Sequence, residues 1–450
     1  MGAIRFSKAG LIMAVVAGLA PAGLVHAQTA PPNFGNYQAR TQNFRIGIQA
    51  FNPVLGITRE QSFEQQRIEN ISDFADPFEI AAFLGSFYTD QTRISQVYDL
   101  QGATVTAGYA QNSAALTVTF VDPTTGATVT DGSGNACSFT YNNGTRQASF
   151  NAFDADTDGS GTPAAALLSR CLARSLAKFS PINPLAGNPY ALLGSMSRSA
   201  LDLAEGDSLI EQGDKANSSG DPWIIGAAYS GGSADRFNLS RIDARVVKGW
   251  RIFEGNRARL KLDIPFSYTT VQGSSAYAGQ IGLGLEVPLI AQTWSVEPRI
   301  AYGATFSADQ GSAGHILQAT IASRVVLNGV GRGKVIIGNM VGYSTTLNTP
   351  GDTNLNPDFQ KFLFRNGLAY DLPLKLRLAN RGTSVRGSYT FTNFTGERLF
   401  NNNFHEFTVS FGLRGREDTP KALRDVFRVN FTTVQAKGFS TFTGGLGFKF

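Results

Sequence analysis

No run of about 18 consecutive apolar residues follows position 27, so nothing after that point reads as a transmembrane helix. No β-patterned segment is apolar on both faces, which excludes a buried parallel sheet and with it an α/β fold. Histidine is scarce: apart from His26 there are only His315 and His405. Two separated imidazoles make a poor metal site. A serine hydrolase would need its nucleophile within hydrogen-bond reach on the same strand face, and the positions two residues on hold Leu317 and Phe407. No catalytic residue is assigned, and the chain is not expected to be an enzyme. Cysteine is limited to Cys137 and Cys171. Net charge is small, +5 for the whole chain and +3 once Arg5 and Lys8 are set aside (5 − 2). That balance argues neither for nor against nucleic acid, and no nucleic-acid partner is expected.

What is present begins with an exported protein's leader. Arg5 and Lys8 precede an apolar stretch from Ala9 to Val25, and Val25-His26-Ala27 offers a small-residue cleavage site before Gln28. A retained anchor is the alternative, but Gly10–Leu24 is short for a span and diluted by Pro21. Residues 1–27 are therefore expected to be a signal peptide. In the oxidising compartment that follows, a Cys137–Cys171 disulfide is the expected state, with two buried thiols as the alternative.

From residue 221 onward the chain is a succession of alternating segments separated by Gly, Asn, Asp and Pro. Twelve are legible: Trp223–Gly231, Ser240–Ile252, Arg257–Val271, Tyr277–Ile290, Trp294–Ser307, His315–Leu327, Lys334–Thr346, Phe359–Leu372, Ser384–Phe394, Phe404–Arg414, Val426–Ala436 and Phe439–Phe450. Each is long enough to cross a tilted bilayer path of about 9–11 residues, and the number is even. In Arg257-Ala-Arg-Leu-Lys-Leu-Asp-Ile-Pro-Phe266, charges occupy one face and apolar side chains the other. A soluble sandwich would turn the charged face to water; a membrane barrel turns it to the lumen. The export signal and the strand lengths favour a twelve-stranded antiparallel transmembrane β-barrel over residues 221–450, preceded by a small mixed α/β N-terminal region.

That region, residues 28–188, starts with a polar lead-in to Gln42. Glu60–Ala82 mixes helical and irregular signals. Ala115–Phe120 alternates, and Cys137–Tyr141 with Arg146–Phe153 reads as a hairpin about Asn142-Asn-Gly144. Pro163–Phe179 reads as a helix with an apolar stripe. Asp154, Asp156 and Asp158, followed by Gly159, have the spacing of a calcium loop, but Ala165 stands where the bidentate Glu belongs. The alternative is a solvated acidic turn; no other cofactor is expected.

A second helix is expected over Tyr190–Gln212, within a linker or pore plug at 189–220. It carries Asp202, Glu205, Asp207, Glu211 and Asp214. On the polar face of the first barrel strands lie Arg241, Arg245, Lys248, Arg257, Arg259 and Lys261 against Asp243 and Asp263. Arg299, Arg324, Arg365 and Arg386 follow with facing unassigned. An acidic helix drawn into a basic lumen is the plug this suggests.

The last segment ends Thr443-Gly-Gly-Leu-Gly-Phe-Lys-Phe450. Thr443, Gly445, Phe448 and Phe450 resemble the C-terminal assembly signal of bacterial outer-membrane barrels. With Tyr190–Gln212 and the twelve segments, the layout of residues 190–450 resembles the translocator domain of autotransporters. The resemblance implies a Gram-negative outer membrane, contact with its lipid and lipopolysaccharide, and insertion by the barrel-assembly machinery. The chain departs from that family in having a short upstream region with a Cys pair, no β-helix repeats and no Asn-Asn junction before the barrel. The reading is an autotransporter-like barrel that threads, displays or is plugged by its N-terminal region. A passive, anion-biased channel and an adhesive surface protein are the alternatives.

Overall fold

The computed structural model describes residues 44–65, 73–158, 161–204, 223–252, 258–290, 293–310, 312–348, 356–416 and 425–449. The leader, the lead-in to Gln42, Arg257, Phe450 and the acidic residues from Glu205 to Asp214 lie outside them.

The N-terminal unit is one antiparallel sheet covered on a single face. Its strands are β1 (Phe44–Asn52), β2 (Ile57–Gln65), β3 (Arg93–Leu100), β4 (Ala103–Tyr109), β5 (Leu116–Val121) and β6 (Ser138–Tyr141), in the order β2-β1-β3-β4-β5-β6. Three helices pack on it: α1 (Pro77–Leu84), α2 (Arg146–Thr157) and α3 (Pro163–Phe179). Alternate residues of β3, β4 and β5, such as Tyr98, Val105 and Phe120, meet Phe150 and Phe153 of α2 and Leu168 and Leu176 of α3. A disulfide joins Cys137 to Cys171 on α3, both fully buried.

Two expectations fail here. Glu60–Gln65, read as partly helical, belongs to strand β2. Arg146–Phe153 is not the second arm of a hairpin but the start of α2. Thr145 is its N-cap, the hydroxyl accepting from the Ala148 amide at 3.1 Å, and Phe150 and Phe153 are spaced for one helical face. The turn at Gly144 leads into that cap rather than into a strand.

The remaining twelve strands close into a barrel: β7 (Trp223–Ala234), β8 (Phe237–Arg251), β9 (Arg259–Val271), β10 (Ser274–Ile290), β11 (Trp294–Ser307), β12 (Ser312–Val330), β13 (Gly333–Leu347), β14 (Gln360–Leu378), β15 (Arg381–Gly396), β16 (Asn403–Arg416), β17 (Asp425–Ala436) and β18 (Phe439–Lys449). Each pairs antiparallel with its sequence neighbour, and β18 pairs with β7 from Phe439↔Ala234 to Lys449↔Ile224. Closure removes every sheet edge, so no backbone donor faces lipid. Outward positions carry Phe266, Ile281, Phe306, Phe362, Phe407, Phe411 and Phe442, each half or more exposed. So much apolar surface is a liability in water and the expected coat in a bilayer. His315 and His405 lie in this outer face, stacked on Tyr302 and Tyr389. The chain is an outer-membrane β-barrel with a small α/β unit at its N-terminal side.

Because the strand number is even, β7 begins and β18 ends on the same side of the barrel. The N-terminal unit sits on the opposite rim. Asp99 forms two 2.9 Å hydrogen bonds with Arg236, in the turn between β7 and β8. Arg174 of α3 donates to the carbonyls of Pro357 and Asp358, both at 2.9 Å, and pairs with Glu397. Lys178 reaches the same carboxylate at 2.8 Å.

Candidate functional site

The lumen is occupied by the chain itself. After α3 the sequence Ser180–Ala191 holds three prolines, which stop helix propagation. Asparagine side chains shape it instead: Asn183 Oδ1 accepts from the Leu185 and Ala186 amides, and Asn188 Oδ1 from those of Tyr190 and Ala191. A helix of nine residues follows, α4 (Leu192–Ala200). Leu185, Leu192, Met196, Leu201 and Leu203 are buried in a cluster with inward side chains of the wall, among them Ile316, Ile336 and Leu363.

Four inward glycines make room for those side chains. A Cβ on Gly303 of β11 would lie 2.8 Å from Leu192, and one on Gly314 of β12 2.8 Å from Leu185. On Gly338 of β13 and Gly367 of β14 it would lie 2.8 and 2.7 Å from Leu203. The wall is thus grooved along the path of the segment.

The end of α4 is held by arginines. Arg245 donates to Ser199 O at 3.3 Å, Arg365 to Leu201 O at 3.0 Å, Arg324 to Asp202 O at 3.0 Å and Arg386 to Leu203 O at 2.9 Å. The last carbonyls of a helix have no intrahelical donor and carry the negative end of its dipole. Arg245 and Arg365 answer both deficits at Ser199 and at the C-cap Leu201, and Arg324 and Arg386 hold the carbonyls of the chain that follows. At the other end Arg241 donates to Tyr190 O, and Arg241 and Arg198 flank the Tyr190 ring at 5.2 and 4.7 Å.

Lumen acids answer the remaining positive charge. Glu406 lies between Arg365 and Arg198, the latter at 2.7 Å. Asp263 holds Arg245 at 2.8 Å and Arg299 at 3.2 Å, Lys261 meets Glu286 and Glu297 at 2.9 Å each, and Asp371 meets Arg386 at 3.2 Å. Acids from β9, β10, β11, β14 and β16 thus pair part of the positive charge, while inward Arg299, Arg324, Lys361, Arg365, Arg386 and Arg428 add to it, so that cations still outnumber acids on the described lumen face. Of the acidic residues credited to the plug, only Asp202 is described, 3.6 Å from Arg245. Among the described residues, the polar hold on the segment runs mainly through main-chain carbonyls and serine hydroxyls.

Arg241, Arg245, Arg259 and Lys261 all face the lumen. Lys248 does not: it is on the outer face of β8, its ammonium 4.7 Å from the Trp223 ring. Strand parity puts it out of step with Arg241 and Arg245. Thr443 points inward and shares hydrogen bonds with Tyr190 Oη and, at 2.8 Å, with Ser230 Oγ. Gly445 faces Asn430, and Phe448 packs outside against Phe427 with ring centres 4.7 Å apart.

The three aspartates of the calcium spacing sit at the end of a helix rather than in an open loop. Asp154 and Asp156 are in the last turn of α2 and Asp158 caps it. Residues two apart on a helix point about 200° apart, so Asp156 points away from Asp154 and Asp158. Asp156 instead accepts from Tyr141 at 3.1 Å and Thr162 at 2.7 Å. Among the described residues, no group of three or more His, Cys, Asp or Glu side chains could hold a metal ion.

Tyr190, the four glycines and Glu406 escaped the sequence reading. The facing of Arg299, Arg324, Arg365 and Arg386 was available from parity once the strand bounds were known.

No family model matches this sequence, and no curated protein matches it. Among solved structures, the chain is similar to the translocator domain of the autotransporter NalP from Neisseria meningitidis, with 11% identity, a TM-score of 0.40, and 58% of this chain and 94% of that one covered. It is similar to the β domain of the Bordetella autotransporter BrkA at 8% identity and TM-score 0.37, covering 51% and 98%. It is also similar to an outer membrane channel from Pseudomonas putida F1, at 8% identity and TM-score 0.35, covering 51% and 96%. These likenesses concern the barrel fold. A closed barrel of twelve antiparallel strands, apolar outside and filled inside by the segment that precedes it, is an autotransporter-like outer-membrane barrel in architecture.

Proposed function

We propose that this protein is a self-occupied outer-membrane barrel that tethers its N-terminal unit on the outer surface of the cell. In this reading residues 1–27 are the leader, 28–188 the N-terminal region, displayed as far as residue 179 and entering the lumen from 180, 189–220 the rest of the lumen segment and linker, and 221–450 the barrel. The observation that carries it is the path of the chain. Residues 180–204 lie in the lumen, between the rim that bears the N-terminal unit and the side on which β7 begins. A barrel inserted from the periplasm leaves the ends of its first and last strands there, so the opposite rim faces outward. The filled lumen supports display over an open porin. Outer-leaflet lipopolysaccharide and the barrel-assembly machinery are the partners this implies.

The test is trypsin on intact cells. Cleavage within residues 44–179, for example after exposed Arg59, is expected while the barrel stays intact. An N-terminal unit that resists until the outer membrane is permeabilised refutes the reading.

A further inference from the structure

The outer wall changes character at one level on β15–β18. Phe407 of β16 and Phe442 of β18 are exposed and stand in one cross-strand row, through Thr433 of β17. One outward step nearer the rim that bears the N-terminal unit, the row is polar: His405 pairs with Gln435, Gln435 with Ser440, and Ser440 with Ser233 of β7. Gln435 is exposed and donates to Ser440 Oγ at 2.9 Å. Beyond that row the turn between β17 and β18 exposes Lys437. Arg398 is exposed in the turn between β15 and β16, at the same rim. In a membrane barrel this is the level at which acyl chains give way to headgroups.

His405 is the fixed point of the row. Its Nδ1 shares a 2.8 Å hydrogen bond with Tyr389 Oη, the two rings stack at 6.0 Å between centres, and Phe391 lies 4.9 Å away on the cross-strand position. Nδ1 is thus taken and the ring is held, and among the described residues no protein group bonds Nε2. Lys437 forms no ion pair among the described residues. The acid nearest to it in register is Asp235, whose amide donates to the Gly438 carbonyl in the adjoining turn. The other histidine of the barrel is a built-in comparison. His315 makes the same bond to Tyr302 and stacks on it at 5.8 Å. Its cross-strand neighbours, however, are Ala304 and Leu347, Phe306 is exposed one step nearer the rim, and the turn above offers the acid Asp309. The Tyr–His pair is common to both sites; the amide and the cation are particular to His405.

We propose that His405, Gln435 and Lys437 form a binding site for the phosphate of a membrane lipid whose acyl chains lie on Phe407 and Phe442. Tyr389 donates to Nδ1 and so keeps the ring hydrogen on Nε2, which donates to a phosphate oxygen beside the Gln435 amide. Lys437 supplies the opposite charge at the headgroup level. The inference rests on the reading that this rim faces outward, which makes the lipid the phosphorylated anchor of outer-leaflet lipopolysaccharide.

The test is a titration of the full-length protein in neutral detergent with a fluorescently labelled lipopolysaccharide anchor, used with its phosphates and after their enzymatic removal. Heat-modifiable gel mobility shows first that each variant is folded. The parent chain is expected to bind the phosphorylated lipid at least about tenfold more tightly than the stripped one. His405→Phe, which keeps an aromatic ring, is expected to weaken binding of the phosphorylated lipid about tenfold, and Lys437→Gln about fivefold. His315→Phe is expected to leave it unchanged. Equal affinity for the two lipids overturns the site. So does a His315→Phe variant that weakens binding as much as His405→Phe, because the Tyr–His pairs then act only as girdle aromatics. Inorganic phosphate that displaces the lipid at equal concentration overturns the lipid as the source of the phosphate. Binding in detergent does not depend on which leaflet the rim faces. Phosphate-dependent binding in a protein whose N-terminal unit resists trypsin on intact cells therefore sinks the display reading and leaves the lipid site, turned to phospholipids of the other leaflet. Normal tryptic cleavage with no phosphate dependence sinks the site alone.

Discussion

Removing an arginine that binds a carbonyl should free the lumen segment far more than removing its acidic side chain. Arg365 donates to Leu201 O and to Thr392, and pairs with Glu406, all with side chains almost fully buried. Arg365→Met strips a donor from a helix-end carbonyl and leaves Glu406 with Arg198 alone. Breaking a buried pair of this kind costs about 3–5 kcal/mol. Asp202 keeps 25% of its side-chain exposure and sits 3.6 Å from an arginine that already has Asp263 at 2.8 Å. Asp202→Asn should cost no more than about 1 kcal/mol, the upper range for partly exposed pairs. The readout is a cysteine at buried Ser197, whose hydroxyl bonds only within the segment and to Gln318. If the thiol reacts only in an opened state, its labelling rate follows the opening equilibrium. At 1.36 kcal/mol per factor of ten, Arg365→Met should speed labelling by about 150-fold or more, and Asp202→Asn by about fivefold at most. If Asp202→Asn accelerates labelling as much as Arg365→Met, carboxylate attraction holds the segment and the carbonyl contacts are incidental.

Leu262→Arg puts a charge on the lipid face of β9 and should cost about 2–4 kcal/mol near the midplane, read as lost folding into lipid vesicles. Replacing Cys137 and Cys171 together by Ser reopens a loop with sequence separation 34 and should weaken the N-terminal unit by about 3–4 kcal/mol, read as faster proteolysis of that unit with the barrel unaffected. Glu397→Gln removes the shared partner of Arg174 and Lys178, and should loosen the N-terminal unit from the rim; high salt should mimic part of that effect in the parent chain and none of it in the variant, read as tryptic cleavage near Lys178.

The barrel was legible because lipid outside and a polar lumen inside impose a two-residue period with nothing to blur it. Trp294–Ser307 agrees with the sequence reading at both ends, and most other strands differ only where they extend into turns. The same rule was misapplied at Lys248, which is one residue out of phase with Arg241 and Arg245. At Arg146–Phe153 the Asn-Asn-Gly turn suggests a hairpin, whereas the cap that starts the helix is the next residue, Thr145. The helix expected from Tyr190 to Gln212 begins after Pro189 and ends at Ala200, with the carbonyls of Ser199 and of the C-cap Leu201 bonded to wall arginines from strands distant in sequence. Such contacts have no local signal. The glycine groove has none either, since each glycine is explained only by the leucine that faces it.

The seating of the N-terminal unit also has a mechanical consequence. Six strands about 4.8 Å apart make a sheet roughly 24 Å wide before its helices are added, whereas the lumen beside it is occupied by a single helix about 10–12 Å across. A body of that width cannot be drawn through such an opening. The folded unit is therefore held on its side of the barrel like a bead stopped by a knot: it can return through the lumen only by unfolding, and it leaves the barrel only if the chain between them is cut. If the unit is displayed as proposed, its passage through the barrel precedes assembly of the sheet and the meeting of Cys137 with Cys171, and oxidation then makes the arrangement one-way.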